Sequence, residues 1–99
     1  MPREPENLPR HELIGLKTEV VESSDPEKEG IEGKVVDETE GILIIGRKDS
    51  RAKIPKEESV FRFYLGDKKV KVNGKLLEGK PEERISKRLP PKWGYVKER

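Results

Sequence analysis

Acid–base or metal chemistry would have to come from a small set of residues. The single histidine, His11, lies beside Glu12 ahead of the first extended segment, where a surface or capping role suits it better than that of a general base. Asp37, Glu38 and Glu40 fall together in DETEG. They could draw a divalent cation, yet carboxylates at a solvated chain reversal are the ordinary case. Cysteine is absent, so neither a disulfide framework nor a thiolate zinc site is open to the chain. A glycine-rich phosphate loop is missing as well. On this basis no residue is assigned as catalytic and none as a metal ligand.

Cations are the denser signal. Arg47, Lys48, Arg51, Lys53 and Lys56 follow one another through a hairpin-sized stretch; Lys68, Lys69 and Lys71 come next, and Lys80, Arg84, Lys87 and Arg88 continue the series. The net charge is only +2, but residues 1–45 hold 5 Lys/Arg against 12 Asp/Glu, whereas residues 46–99 hold 17 against 8. Charge divided this way suits a polyanion-binding second half, because summed fields attract phosphates over distances comparable to the Debye length. Two plainer readings compete: the halves neutralise each other within the fold, or each lysine is a solvated surface residue. Taken as a series, the cations point to nucleic acid. Phe61 and Phe63 have the spacing of core residues, which leaves Tyr64, Trp93 and Tyr95 for base stacking. Recognition should therefore lean on phosphates and shape.

The elements that must position these residues are short. A chain of 99 residues makes one domain and buries about two-thirds of its unfolded surface. Residues 1–8 read as a flexible tail, 9–89 as the domain and 90–99 as a second tail that orders when something binds it. In NLPRHELIGLK, Asn7 can cap and Pro9 suits a first helical turn, predicting a short helix that ends near Gly15. KTEVVE predicts a strand, and SSDPEKEG a loop. Strands around Ile31–Val35 and Ile42–Ile45 should meet at DETEG, with Gly41 free to take a positive φ. Ala52 and Ile54 suggest a further strand, and SVFRFYL alternates most cleanly, with Phe61, Phe63 and Leu65 inward and Arg62 and Tyr64 outward. Val70 and Val72 alternate with lysines up to Asn73-Gly74, a tight-turn signal leading to Leu76 and Leu77. In GKPEERISKRLPP, Pro81 opens a helix and Pro90 stops it, with Ile85 and Leu89 on one face. The pattern is that of an all-β protein, a small barrel with helical ends.

Composition adds a setting. Charged residues make up 42% of the chain while glutamine is absent and asparagine occurs twice, a mix in which ion pairs replace thermolabile side chains, as expected of a thermophilic source. No apolar run approaches the roughly 20 residues needed to cross a bilayer, and no signal-peptide hydrophobic region opens the chain. An intracellular protein is expected.

Five blocks carry a resemblance. HELIGL at 11–16, GKVVDETEGILII at 33–45, KIPK at 53–56, FRFYL at 61–65 and VNGKLLEGKPEERI at 72–85 occur in order over roughly residues 9–88. Together they resemble the archaeal ribonuclease P protein component 1 family, the counterpart of a eukaryotic subunit shared by ribonuclease P and MRP. The resemblance implies an Sm-like or SH3-like barrel of five to six antiparallel strands with short N- and C-terminal helical extensions. It implies an RNA-binding accessory subunit that supports 5′-end maturation of precursor tRNA by the catalytic RNA. Endonuclease activity would then belong to the holoenzyme and not to this chain. Mg2+ would be used by the RNA, with no cofactor held by the protein. Implied partners are ribonuclease P RNA, a zinc-ribbon-type protein subunit met through the terminal helices, and precursor tRNA through the holoenzyme, in the cytoplasm.

On that basis Lys34, Arg47, Lys48, Arg51, Lys53, Lys56, Lys80, Arg84, Lys87 and Arg88 are expected to contact RNA. His11, Leu13, Ile14 and Leu16 are expected to face the protein partner or else to cap the barrel. Two departures stand out: Glu40-Gly41 replaces an expected basic residue and asparagine at the hairpin tip, and Lys80 replaces an arginine, keeping the charge but losing the bidentate fork. The rival readings are a generic nucleic-acid-binding barrel, a protein-interaction module, which would need a more aromatic groove, and a nuclease acting alone.

Overall fold

The computed structural model describes residues 13–79 and the backbone of 96–98. The strands are β1 (Lys17–Ser23), β2 (Glu32–Glu38), β3 (Ile42–Gly46), β4 (Arg51–Pro55), β5 (Ser59–Leu65), β6 (Lys68–Asn73) and β7 (Val96–Glu98). They form one antiparallel sheet in the order β4-β3-β2-β1-β5-β6-β7.

Alternation along each strand decides which face is dry. Val20, Val35, Leu43, Ile45, Ile54, Phe61, Phe63, Val70 and Val72 all point to one side and are fully buried in a single cluster with Leu13, Leu16 and Leu77. Phe61 and Phe63 belong to it, with ring centroids 6.0 Å apart. Each such side chain contributes roughly 1.5–3 kcal/mol by leaving water. One face of one sheet encloses this cluster, so the sheet has to curl around it. Register shifts between Val20 and Glu22 on β1 and between Val35 and Asp37 on β2 supply the curvature, because a bulge bends its strand and sharpens the twist.

The ends of the sheet approach each other where β6 leads on. Asn73-Gly74 is expected to make a tight turn leading to Leu76 and Leu77, and the turn takes a 3-10 form. The Asn73 side chain accepts a hydrogen bond from the Lys75 N–H at 3.0 Å and caps the 3-10 turn over Gly74–Leu77, which drives Leu77 into the core. A Cβ on Gly74 would collide with the Lys56 carbonyl just beyond β4. Gly74→Ala is accordingly expected to cost about 1–3 kcal/mol, the range for forced overpacking, seen as a lower urea midpoint with an unchanged slope.

The β2–β3 turn also closes differently from expectation. Gly41 does not adopt a positive φ. Thr39 makes the reversal: its N–H donates to the Ile42 carbonyl at 2.9 Å and its Oγ1 accepts from the Ile42 N–H at 3.1 Å. Of the first expected helix only the end is described, where Leu16 N–H donates to Leu13 O at 3.1 Å and Gly15 has φ +95°. The helix expected after Lys80 lies outside the described residues. Within the stretch expected as a closing tail, Val96–Glu98 forms β7 against β6.

Candidate polyanion-binding surface

If alternate residues build the core, the others build the outer wall, and the register shows which of them stand side by side. Lys34 on β2 pairs with Gly46 on β3, which pairs with Arg51 on β4. In the other direction Lys34 pairs with Lys17 on β1, Lys17 with Tyr64 on β5, and Tyr64 with Lys69 on β6. Arg51, Lys34, Lys17, Tyr64 and Lys69 thus lie in one row across six strands, ending opposite Glu98 of β7. Five interstrand gaps of about 4.8 Å make an arc of roughly 24 Å. The rest of the hairpin series flanks it. Arg47 and Lys48 are exposed in the β3–β4 turn, which the Arg47 N–H closes onto Ser50 O at 2.7 Å, and Lys53 is exposed two residues along β4 from Arg51.

Electrostatics separates cations turned outward from cations spent inside. The ion pairs among the described residues are Lys56–Glu38 and Arg62–Glu19, and neither involves the row or its flank. Lys34 and Lys17 are directly opposed, an arrangement of like charges that destabilises a sheet. Lys17 and Lys69 both approach the Tyr64 ring, at 5.1 and 5.8 Å from its centroid. The neighbouring row runs Glu32, Glu19, Arg62, Lys71. There Glu19 accepts from Arg62 Nη1 at 3.0 Å and from the Tyr64 hydroxyl at 3.3 Å. Burial, and then the Glu19 carboxylate, push the Tyr64 phenol above its ordinary range, so it keeps its proton and its donor role.

The opposite ends of β1, β5 and β6 carry the reverse sign. A shallow groove there is lined by Glu22, Glu57 and Glu58 with Ser59, Asn73 and Lys75. Acids at one end and cations at the other give the barrel a definite orientation in the field of a polyanion. Among the described residues no group of three His, Cys, Asp or Glu side chains is placed to hold a metal ion.

Lys56 requires a correction. Expected to face RNA, it is 0% exposed. Its Nζ donates to Glu38 Oε2 at 2.9 Å and to the carbonyls of Thr39 at 2.7 Å, Gly79 at 3.1 Å and Glu40 at 3.4 Å. Gly79 N–H in turn donates to Glu40 O at 2.8 Å. The ammonium therefore ties the hairpin tip to the chain leaving the 3-10 turn. Its position two residues beyond buried Ile54 was the signal for an inward side chain. Glu38, expected as a hydrated tip residue, folds in with it at 0% side-chain exposure.

Of the residues expected to meet a protein partner, Leu13 and Leu16 are core, and Ile14 is half-buried against it. His11, Lys80, Arg84, Lys87 and Arg88 lie outside the described residues. Lys17 was missed altogether. In sequence it is a lone lysine before a strand, and only the pairing of β1 with both β2 and β5 makes it central.

Comparison with known proteins bears on this surface. A family model described as ribonuclease P/MRP, subunit p29, matches residues 6–87, a range that contains all five sequence blocks. Ribonuclease P protein component 1 of Methanocaldococcus jannaschii is 51% identical over 92 residues, covering 92% of this chain and 97% of that protein. Its namesake in Methanococcus vannielii is 38% identical over 95 residues, covering 91% and 96%. A solved structure described as a homologue of the human RNase P protein Rpp29 is similar with a TM-score of 0.56 and 40% identity, over 76% of this chain and 99% of that one.

Proposed function

The chain belongs to the ribonuclease P/MRP subunit p29 family, and from that premise we propose that its outer basic row binds phosphates of ribonuclease P RNA and so supports cleavage of precursor tRNA at the 5′ end. The observation that carries this is the alignment of Arg51, Lys34, Lys17 and Lys69 across six strands, outside both ion pairs of the described residues.

The mechanism is electrostatic. A compact RNA brings its own phosphates together, and their repulsion has to be offset by Mg2+ or by other cations. Side chains held on a rigid sheet offset it at no further ordering cost to the ion atmosphere, and each phosphate engaged releases a condensed counterion. The chain acts as an accessory subunit: RNA and Mg2+ perform the hydrolysis, and the protein lowers the Mg2+ concentration at which the active RNA fold is populated. Lys80, Arg84, Lys87 and Arg88 are proposed as further phosphate contacts on the strength of their charge. The proposed protein partner is a zinc-ribbon-type subunit, with His11 and the part-exposed Ile14 as its contacts; Leu13 and Leu16 are committed to the core.

Reconstitution tests the reading. Added to the RNA subunit, with and without the second protein, the chain is expected to lower the Mg2+ midpoint for precursor tRNA cleavage. It should also bind that RNA more tightly than an unrelated structured RNA of equal length. Equal binding to both would reduce it to a generic nucleic-acid-binding barrel, and cleavage by the protein alone would overturn its accessory role.

A further inference from the structure

We infer that the outer face of Tyr64 is a stacking subsite for one unpaired nucleobase, with Lys17 and Lys69 taking the phosphates on either side of it. The inference rests on the reading that the basic row meets RNA, and it names the form of RNA that the row's centre accepts.

Tyr64 interrupts a line of cations. Its neighbours across the strands are lysines on both sides, about 10 Å apart for two interstrand gaps, and both ammoniums lean toward its ring. The ring is part-exposed on the wet face of the sheet, away from the core. Its orientation is held, because the hydroxyl reaches Glu19 Oε1 at 3.3 Å. That carboxylate does not repel an incoming phosphate in full, since Arg62 Nη1 binds the same oxygen at 3.0 Å. A part-exposed aromatic ring, fixed on a sheet between two outward lysines, has the chemistry of a single-strand platform. The base stacks on the ring while the backbone runs over the cations. A cation–π contact at an exposed site is weak, so an arriving base displaces the ammoniums, and these turn to the flanking phosphates. Duplex RNA satisfies the lysines but not the ring, because its bases already stack on one another. The ligand class is therefore single-stranded or loop RNA.

The full chain, Tyr64→Leu, Tyr64→Phe and Tyr64→Trp are compared for binding to a labelled oligouridine and to a blunt RNA duplex with the same number of phosphates. Tyr64→Leu should bind the oligouridine about tenfold more weakly, the loss of one stacked base, with duplex affinity and the salt slope unchanged. Tyr64→Phe and Tyr64→Trp should retain or exceed wild-type affinity. Melting curves check that each variant folds, and a 5-iodouridine oligomer should photo-crosslink to Tyr64. Wild-type oligouridine affinity in Tyr64→Leu overturns the subsite, as does an equal loss on duplex and oligomer. If those results appear while ribonuclease P RNA still binds with a steep salt slope, only the stacking fails. If the wild-type chain binds neither these RNAs nor ribonuclease P RNA, the RNA-binding reading falls with it.

Discussion

Lys56→Met is expected to lower the unfolding free energy by about 3–5 kcal/mol, the cost of breaking a buried ion pair from one side. The substitution leaves the Glu38 carboxylate in a site that is 0% exposed and removes the donor shared by the Thr39, Glu40 and Gly79 carbonyls. For a domain of this size that corresponds to a fall in Tm of about 12 °C or more. Pairing it with Glu38→Gln should recover part of the loss, because the remaining group is polar but uncharged. Differential scanning calorimetry of the four proteins gives the cycle. A Lys56→Met variant melting within about 2 °C of wild type, under half a kcal/mol, would mean that this ammonium does not hold the barrel together. RNA binding by whatever remains folded should keep its wild-type salt slope, since no phosphate contact is removed.

The opposite profile is expected for Lys17→Ala, Lys34→Ala and Arg51→Ala combined. These side chains are exposed and enter no ion pair of the described residues, so the fold should survive, and relief of the Lys17–Lys34 opposition offsets part of any local loss. Each phosphate contact contributes about 0.7–0.9 to the slope of log K against log salt. At 0.1 M salt that is roughly five- to eightfold in affinity per contact, or about 100- to 500-fold for three. The slope itself should flatten by about 2–3 units. Fluorescence anisotropy with ribonuclease P RNA across a salt series measures both. Lys75→Ala, beside the acidic groove at the other end of the strands, is the control and should change neither. A triple variant with wild-type slope would remove the row from the RNA interface.

The two outcomes separate lysines that look alike as letters. Lys53 and Lys56 both stand in KIPK, yet one is exposed on β4 and the other is fully buried. Alternation from Ile54 carries that distinction, but a lysine surrounded by other lysines reads as surface unless an internal acid is known to receive it. The receiving acid, Glu38, is 18 residues away. Leu13 and Leu16 show the same effect for apolar residues: before the first strand they read either as a patch for a partner or as a cap on the barrel, and they become core because β2 returns beneath them, with Gly15 N–H donating to Val35 O at 2.8 Å. Asn73-Gly74 reads as a tight turn, but nothing local shows that the turn is a 3-10 one that delivers Leu77 to the core.

Composition, strand periodicity and five ordered blocks were enough to read a small antiparallel barrel, its apolar interior and its family from the chain alone, because these depend on local spacing and on patterns contiguous in sequence. Which cations share one surface was decided by tertiary pairing. Lys17, Lys34, Arg51 and Lys69 meet through the registers of five strand pairs, and Lys56 leaves the surface through an ion pair that exists only once the β2–β3 turn lies against the end of β4. Charge acts through space, and distance in space between residues far apart in sequence comes into being with the fold.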